Sequence, residues 1–312
     1  MKRFTAAIIL IICLLFISAI IVEAPDLSGA FAGKTSDIYD VTMKQDLLCI
    51  MLAYPEYVSG IEREGEKVYI VMKSGRKILY DDKKNKSTEG KISYPDLQDM
   101  LELIYPLHTD RKLMDKSFDP GRGRVYGLLK EVYGESKQQV EANLTNAKAH
   151  GTSYQFNRGN GAAKALAGAM NELIPMSEKR KDIRACIFPC SGTYNYRVIA
   201  GTDRLSPHAF GIAIDLARDS RDYWKWATAE QGQKRLSAYP VEIVEVFEKH
   251  NFIWGGKWGH FDILHFEYRP EIILKSRYFG NYKDYCRNWH EGAPKEDENV
   301  QKYIDIIEKA LN

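Results

Sequence analysis

Apolar residues recur along the chain at two different spacings, and the change from one to the other divides it. "KVYIVMKSGRKILYDD", Lys67 to Asp82, carries two short β-branched and aromatic runs about a Ser-Gly turn, which predicts a β-hairpin. From Tyr94 the spacing becomes helical: in "PDLQDMLELIY" Leu97, Leu101 and Ile104 share a face, and Asp96 near the start suits the positive end of a helix. "DPGRGRVYGLLKEVYG" (Asp119 to Gly134) predicts a Pro-Gly turn entering a helix, and "GAAKALAGAMNELI" (Gly161 to Ile174) a small-residue helix suited to close packing. Between Ile183 and Asp215 short apolar runs alternate with Gly and Ser, as in strands and loops. "YPVEIVEVFEKHNF" places Val241, Val244 and Phe247 on one helical face, and a last helix runs to the end of the sequence. There is no internal repeat.

The N-terminus has a different pattern. Lys2 and Arg3 precede an uncharged, mostly apolar run from Phe4 to Val22, a length between that of a signal-peptide core and a membrane span. Both readings predict export. Val22 and Ala24 offer a small-residue cleavage site, but Pro25 follows directly and hinders a protease that needs an extended bond there, which favours an anchor that stays attached. The expected organisation is residues 1–24 as signal peptide or anchor, 25–93 as a tether (to about Asp40) and a small β-containing region, 94–180 as a helical extension, and 181–312 as the catalytic domain.

Charge then narrows the partners. With 44 Lys and Arg against 42 Asp and Glu, the net charge of +2 gives no electrostatic footprint for nucleic acid, and none is expected. Membrane contact is expected only through the N-terminal segment, and the chain is expected to be a monomer. Beyond Cys13, which lacks the small residue expected before a lipidated cysteine, Cys49, Cys186, Cys190 and Cys286 remain; their spacing fixes no disulfide connectivity, and free thiols fit equally.

The chemistry gathers in two stretches, "RLSPHAFGIAID" (Arg204 to Asp215) and "WGGKWGHFDILHFEYRP" (Trp254 to Pro270). Asp215 lies among apolar residues, where an ionised carboxylate needs a cationic partner. His208, Asp215 and His265 form the ligand set of a catalytic zinc site, two imidazoles and a carboxylate with a fourth position for water. His208 and Asp215 are an odd number of residues apart, so both reach one ion only if the chain turns between them, and Gly211 supplies the freedom for that turn. Asp262, three residues before His265, is the candidate general base. Arg197 is the candidate oxyanion donor with Arg204 as competitor; Ser206 is placed to hold substrate. Trp254 and Trp258 suit either a substrate groove or core packing, His260 is an alternative ligand, and Glu267 a group that orients a ligand by a hydrogen bond. Arg122 and Arg124 read either as solvated turn residues or as a substrate-facing anion site.

"SPHAFGIAID" and "DILHFE" resemble the paired SxHxxGxAxD and DxxHFE motifs of the zinc D-alanyl-D-alanine carboxypeptidase and L-alanyl-D-glutamate endopeptidase family, with "YNYR" upstream and a "WGGKW" loop before the second motif. The resemblance covers about Ile183 to Pro270. It implies an α+β fold, a small antiparallel sheet flanked by helices as in the Hedgehog signalling domain, with the helical extension and hairpin N-terminal to it. It also implies one Zn2+ held by His208, Asp215 and His265, Asp262 as general base, Arg197 on the substrate carbonyl or carboxylate, and peptidoglycan stem peptides as substrate. Asp262 stands where the D,D-dipeptidase members carry Glu, as in the L-alanyl-D-glutamate branch. Two other classes share the ligand set: a non-haem Fe(II) oxygenase, and a catalytically silent zinc-containing wall-binding module of Hedgehog type.

Overall fold

The computed structural model describes residues 28–108, 111–280 and 288–311, with side chains from residue 38. The N-terminal apolar run, with Cys13, and Cys286 lie outside the described residues. Helix α1 (Ser28–Ala53) leads into a three-stranded antiparallel sheet of β1 (Val58–Glu64), β2 (Lys67–Met72) and β3 (Lys77–Leu79). The short helices α2 (Thr88–Ser93) and α3 (Leu97–Leu101) follow, then α4 (Tyr126–Tyr133) and α5 (Lys137–Ala142). A second hairpin, β4 (Leu144–Ala149) and β5 (Thr152–Asn157), precedes α6 (Ala162–Lys179) and α7 (Lys181–Ile187). The last third holds β6 (Ala213–Asp215), α8 (Ala229–Ala238), α9 (Val241–Lys249), β7 (Phe252–Trp254), β8 (His265–Tyr268), α10 (Pro270–Phe279) and α11 (Glu298–Leu311). Strands β6, β8 and β7 form a small antiparallel sheet in that order. The fold is therefore α+β, with small antiparallel sheets among helices, as expected.

The described residues before Tyr39 form one unit and those from Tyr39 onward another. One buried cluster runs through the latter, from Leu47 and Ile50 in α1 through Leu166 and Leu173 in α6 to Ile214, Phe247 and Phe266 around the β6-β8-β7 sheet. In α6 the buried residues Ala162, Leu166, Ala169, Met170 and Leu173 follow helical spacing. Polar ties cross this core. Lys275 of α10 lies 2.5 Å from Asp46 of α1 and donates to the Leu101 carbonyl, and the Tyr80 hydroxyl donates to the other Asp46 oxygen at 2.8 Å.

Three local expectations need correction, and one element has no counterpart among them. The Gly/Ser/Ala-rich segment expected as a tether to about Asp40 is helical from Ser28, continuing the helix whose Met43, Leu47, Ile50 and Met51 are buried at helical spacing. The helix expected to reach Tyr105 stops at Leu101: Pro106 disfavours helical geometry in the residue before it, and Tyr105 turns inward to bond Glu248. The region after Ile183 forms helix α7 and then mostly loop, with isolated bridges Gly192 to Asp215 and Val198 to Leu205. The β4-β5 hairpin has mostly polar strands; its signal lay in the turn, where His150 and Gly151 both take positive φ, as a tight two-residue connection requires.

Candidate metal centre

Ser206 begins the centre by capping a 3-10 turn over Pro207–Phe210, its hydroxyl accepting from the His208 N–H, with Pro207 at the first position of the turn. Gly211 ends the turn at φ +68°, where a Cβ would stand 2.8 Å from Leu144 Cδ2 and 3.2 Å from the Asn157 nitrogen. The chain reverses there into β6, whose Asp215 is the direct cross-strand partner of His265 in β8. Opposed residues of an antiparallel pair share a face. Three donor atoms therefore converge: His265 Nδ1 lies 2.9 Å from Asp215 Oδ1, and His208 Nε2 lies 3.2 Å from each of them.

That triangle fits a metal ion. Ligand atoms about 2.0–2.1 Å from a tetrahedral ion stand about 3.3–3.4 Å apart, so shifts of a few tenths of an ångström admit one. Two imidazole nitrogens and a carboxylate oxygen aimed at one point would repel one another without a cation or shared proton between them. Burial alone would raise the Asp215 pKa, but the two histidines hold it far below the usual carboxylate range; burial would lower that of His265, but hydrogen bonding to Asp215 and then the nearby Glu267 carboxylate push it up to about 10. His208 and His265 are buried, while the Asp215 side chain keeps 25% exposure, which leaves the centre reachable from solvent on that side.

Both imidazoles are aimed from behind. His208 Nδ1 lies 2.6 Å from the Thr193 carbonyl, which can only accept, so the proton sits on Nδ1 and Nε2 is left with its lone pair. His265 Nε2 lies 3.8 Å from Glu267, whose two oxygens take a forked pair from Arg124 at 2.8 and 2.6 Å. Arg269 stands 3.4 Å from Glu267, 2.6 Å from Glu271 and donates to the Gly121 carbonyl; Tyr54 in turn donates to Glu271. Against the cost of burial, Arg124 above all holds Glu267 well below the ordinary carboxylate range. Arg124 is thus buried within the centre's support rather than solvated or facing substrate.

Asp262 sits on the loop between β7 and β8. Its N–H donates to the Gly255 carbonyl at 2.9 Å, its carbonyl accepts from the His265 N–H at 3.1 Å, and its backbone bridges to Tyr223. Underneath, the buried Lys257 binds Glu248 and the Pro106 carbonyl, each at 2.5 Å, and so ties down the turn that carries this loop. The Asp262 carboxylate takes no hydrogen bond among the described residues. Burial pushes its pKa up to about 6, with His265, Asp215 and His208 all within its electrostatic reach.

The remaining candidates take varied places. Arg197 is exposed, its carbonyl accepting from the Ser206 N–H. Arg204 donates to the Ile92 carbonyl at 2.7 Å. Trp258 is buried, with its ring 5.8 Å from that of His265 and its indole N–H on the Pro120 carbonyl. Trp254 stacks on Tyr239 in the core. His260 is bound to Asp119 and takes no part in the triangle. Cys49, Cys186 and Cys190 are free thiols, and Cys190 Sγ donates to the Asp215 carbonyl at 3.2 Å. Among the described residues no helix is long and apolar enough to cross a membrane. Thr193 acts through its backbone carbonyl and leaves no side-chain signal in the sequence. The role of Asp119 appears only once two distant loops meet.

A family model described as D-alanyl-D-alanine carboxypeptidase matches residues 200–268. That interval holds His208, Asp215, Asp262 and His265, and it bears out the resemblance read from the two motifs and supports a hydrolase of peptidase type. No curated protein and no solved structure matches the chain.

Proposed function

We propose that the chain is an exported zinc peptidase that hydrolyses peptide bonds in the stem peptides of peptidoglycan. The observation that carries this reading is the convergence of His208, Asp215 and His265 within reach of one ion, beside a carboxylate without a hydrogen-bond partner among the described residues. Zinc, when bound, polarises a carbonyl and lowers the pKa of water to about 7. Asp262 receives the proton from water and passes it to the leaving amine, a role that suits a carboxylate with no hydrogen bond among the described residues and a pKa pushed up to about 6. Arg197, exposed and joined through its carbonyl to the Ser206 N–H at the start of the His208 turn, steadies the substrate oxygen. Lys2, Arg3 and the apolar run after them support export to the compartment where the substrate lies.

The test is digestion of purified stem peptides by the full-length chain, with zinc or with a chelator, followed by mass spectrometry. Zinc-dependent release of a terminal D-alanine defines a carboxypeptidase, and separation of L-alanine from D-glutamate an endopeptidase. Peptides left intact in the presence of zinc, with the metal bound, would overturn the reading.

A further inference from the structure

The loop from Phe118 to Arg124, which lies outside the matched interval, is stitched to the loop that carries Asp262. The Phe118 carbonyl accepts from Gly259, the Pro120 carbonyl from Trp258, and Asp119 takes both the His260 N–H and His260 Nδ1, at 3.0 and 2.7 Å. Asp119, with its side chain 1% exposed, also holds one nitrogen of Arg122 at 2.8 Å, on the same oxygen that meets His260 Nδ1. The guanidinium is thereby fixed beside His260, two residues from Asp262, and its side chain keeps 24% exposure. Its Nε and second terminal nitrogen have no acceptor among the described residues. Tyr223 is bridged to Asp262; burial and then Asp262 raise the phenol's pKa, while Arg122 and Arg197 oppose them, so both guanidinium groups lie within electrostatic reach of this rim.

We propose that Arg122 is a specificity residue that binds a carboxylate of the substrate peptide, a proposal that rests on the peptidase reading above. A guanidinium with two unused donors matches a carboxylate in geometry and charge. Holding it through Asp119 costs the substrate no ordering of a long side chain. Arg197, exposed and also within electrostatic reach of Tyr223, remains available for the oxygen of the bond being cut.

The experiment uses the zinc-loaded full-length chain and three probes: the pentapeptide L-Ala-D-Glu-L-Lys-D-Ala-D-Ala, its C-terminal amide, and the peptide with the D-glutamate α-carboxyl amidated. The native chain should cut the first about 10- to 100-fold better than one of the amides, the discrimination that a charge-assisted fork provides. Arg122→Gln should bring that pair level in kcat/KM. Levelling against the C-terminal amide assigns the terminal carboxylate, and levelling against the other amide the internal one. Native ratios retained for both in Arg122→Gln would overturn the proposal, since a purely structural arginine would lower all three rates together. Should the glutamine variant fail to fold, Arg122→Lys keeps the Asp119 pair, replaces the fork by a point charge, and should narrow the same ratio. If the native chain binds zinc and cuts none of the three, the peptidase reading fails; calorimetric affinities for the uncut peptides then test Arg122 by the same ratios.

Discussion

Asp215 and His265 face each other across the β6-β8 pair, with carboxylate oxygen and imidazole nitrogen 2.9 Å apart. A direct cross-strand pair fixes two of three donors with the rigidity of the sheet, and only His208 depends on a turn. Moving the pairing by one residue would send one of these side chains to the other face.

Removing the third donor tests the set. His208→Ala should lose stoichiometric zinc, measured by elemental analysis after dialysis, and lower hydrolysis on the order of 10³-fold or more, the several kcal/mol a Lewis acid supplies. Full zinc occupancy in this variant would show the donor set to be misassigned.

Asp262→Asn separates base from ligand. Zinc should remain, while kcat falls on the order of 10²- to 10⁴-fold. In the native chain activity should decline as pH drops below about 6, where the buried carboxyl becomes protonated and can no longer accept a proton. An acid limb that persists unchanged in the residual activity of Asp262→Asn would assign it elsewhere.

Behind the donors, Glu267→Gln should weaken zinc binding by about 10- to 100-fold, read with a competing chelator. Arg124→Ala leaves the fully buried Glu267 without its forked partner and should cost about 3–5 kcal/mol of stability in chemical denaturation. A loss below 1 kcal/mol would mean that Arg269 alone suffices.

Proton and metal compete at His265. In the metal-free protein its pKa is raised to about 10, so at neutral pH the imidazole is protonated and must lose a proton before it can coordinate. Zinc affinity should therefore rise by about tenfold per pH unit between pH 7 and 9, and loading at pH 7.5 should release about one proton, measurable as the dependence of binding heat on buffer ionisation. A pH-independent affinity across that range would contradict this.

The two motifs carried most of the centre, because ligand chemistry restricts residue types at fixed positions and the turn at Gly211 demands a residue at ease with positive φ. They could not show that β6 pairs with β8, since the strands are three and four residues long, too short for periodicity to register. Arg124 and Asp119 were harder still. Their partners, Glu267 and His260, lie more than 140 residues further along the chain, and an arginine after Pro-Gly reads the same whether it is solvated or buried. In α1 the composition of the first turns suggested a tether, while the burial that gives this helix its packed face begins at Met43.

The Asp46 to Lys275 pair has a practical bearing on how this enzyme can be dissected. An excised fragment beginning at residue 181 would strand the buried Lys275 of α10, because Asp46 and the Leu101 carbonyl, which both bind it, would be gone. It would also strip Arg124 from Glu267 and Asp119 from His260. Nearly the whole of Tyr39–Asn312 is thus needed to keep these buried pairs together, and fusions that borrow only the motif region would carry the donor residues without the scaffold that aims them.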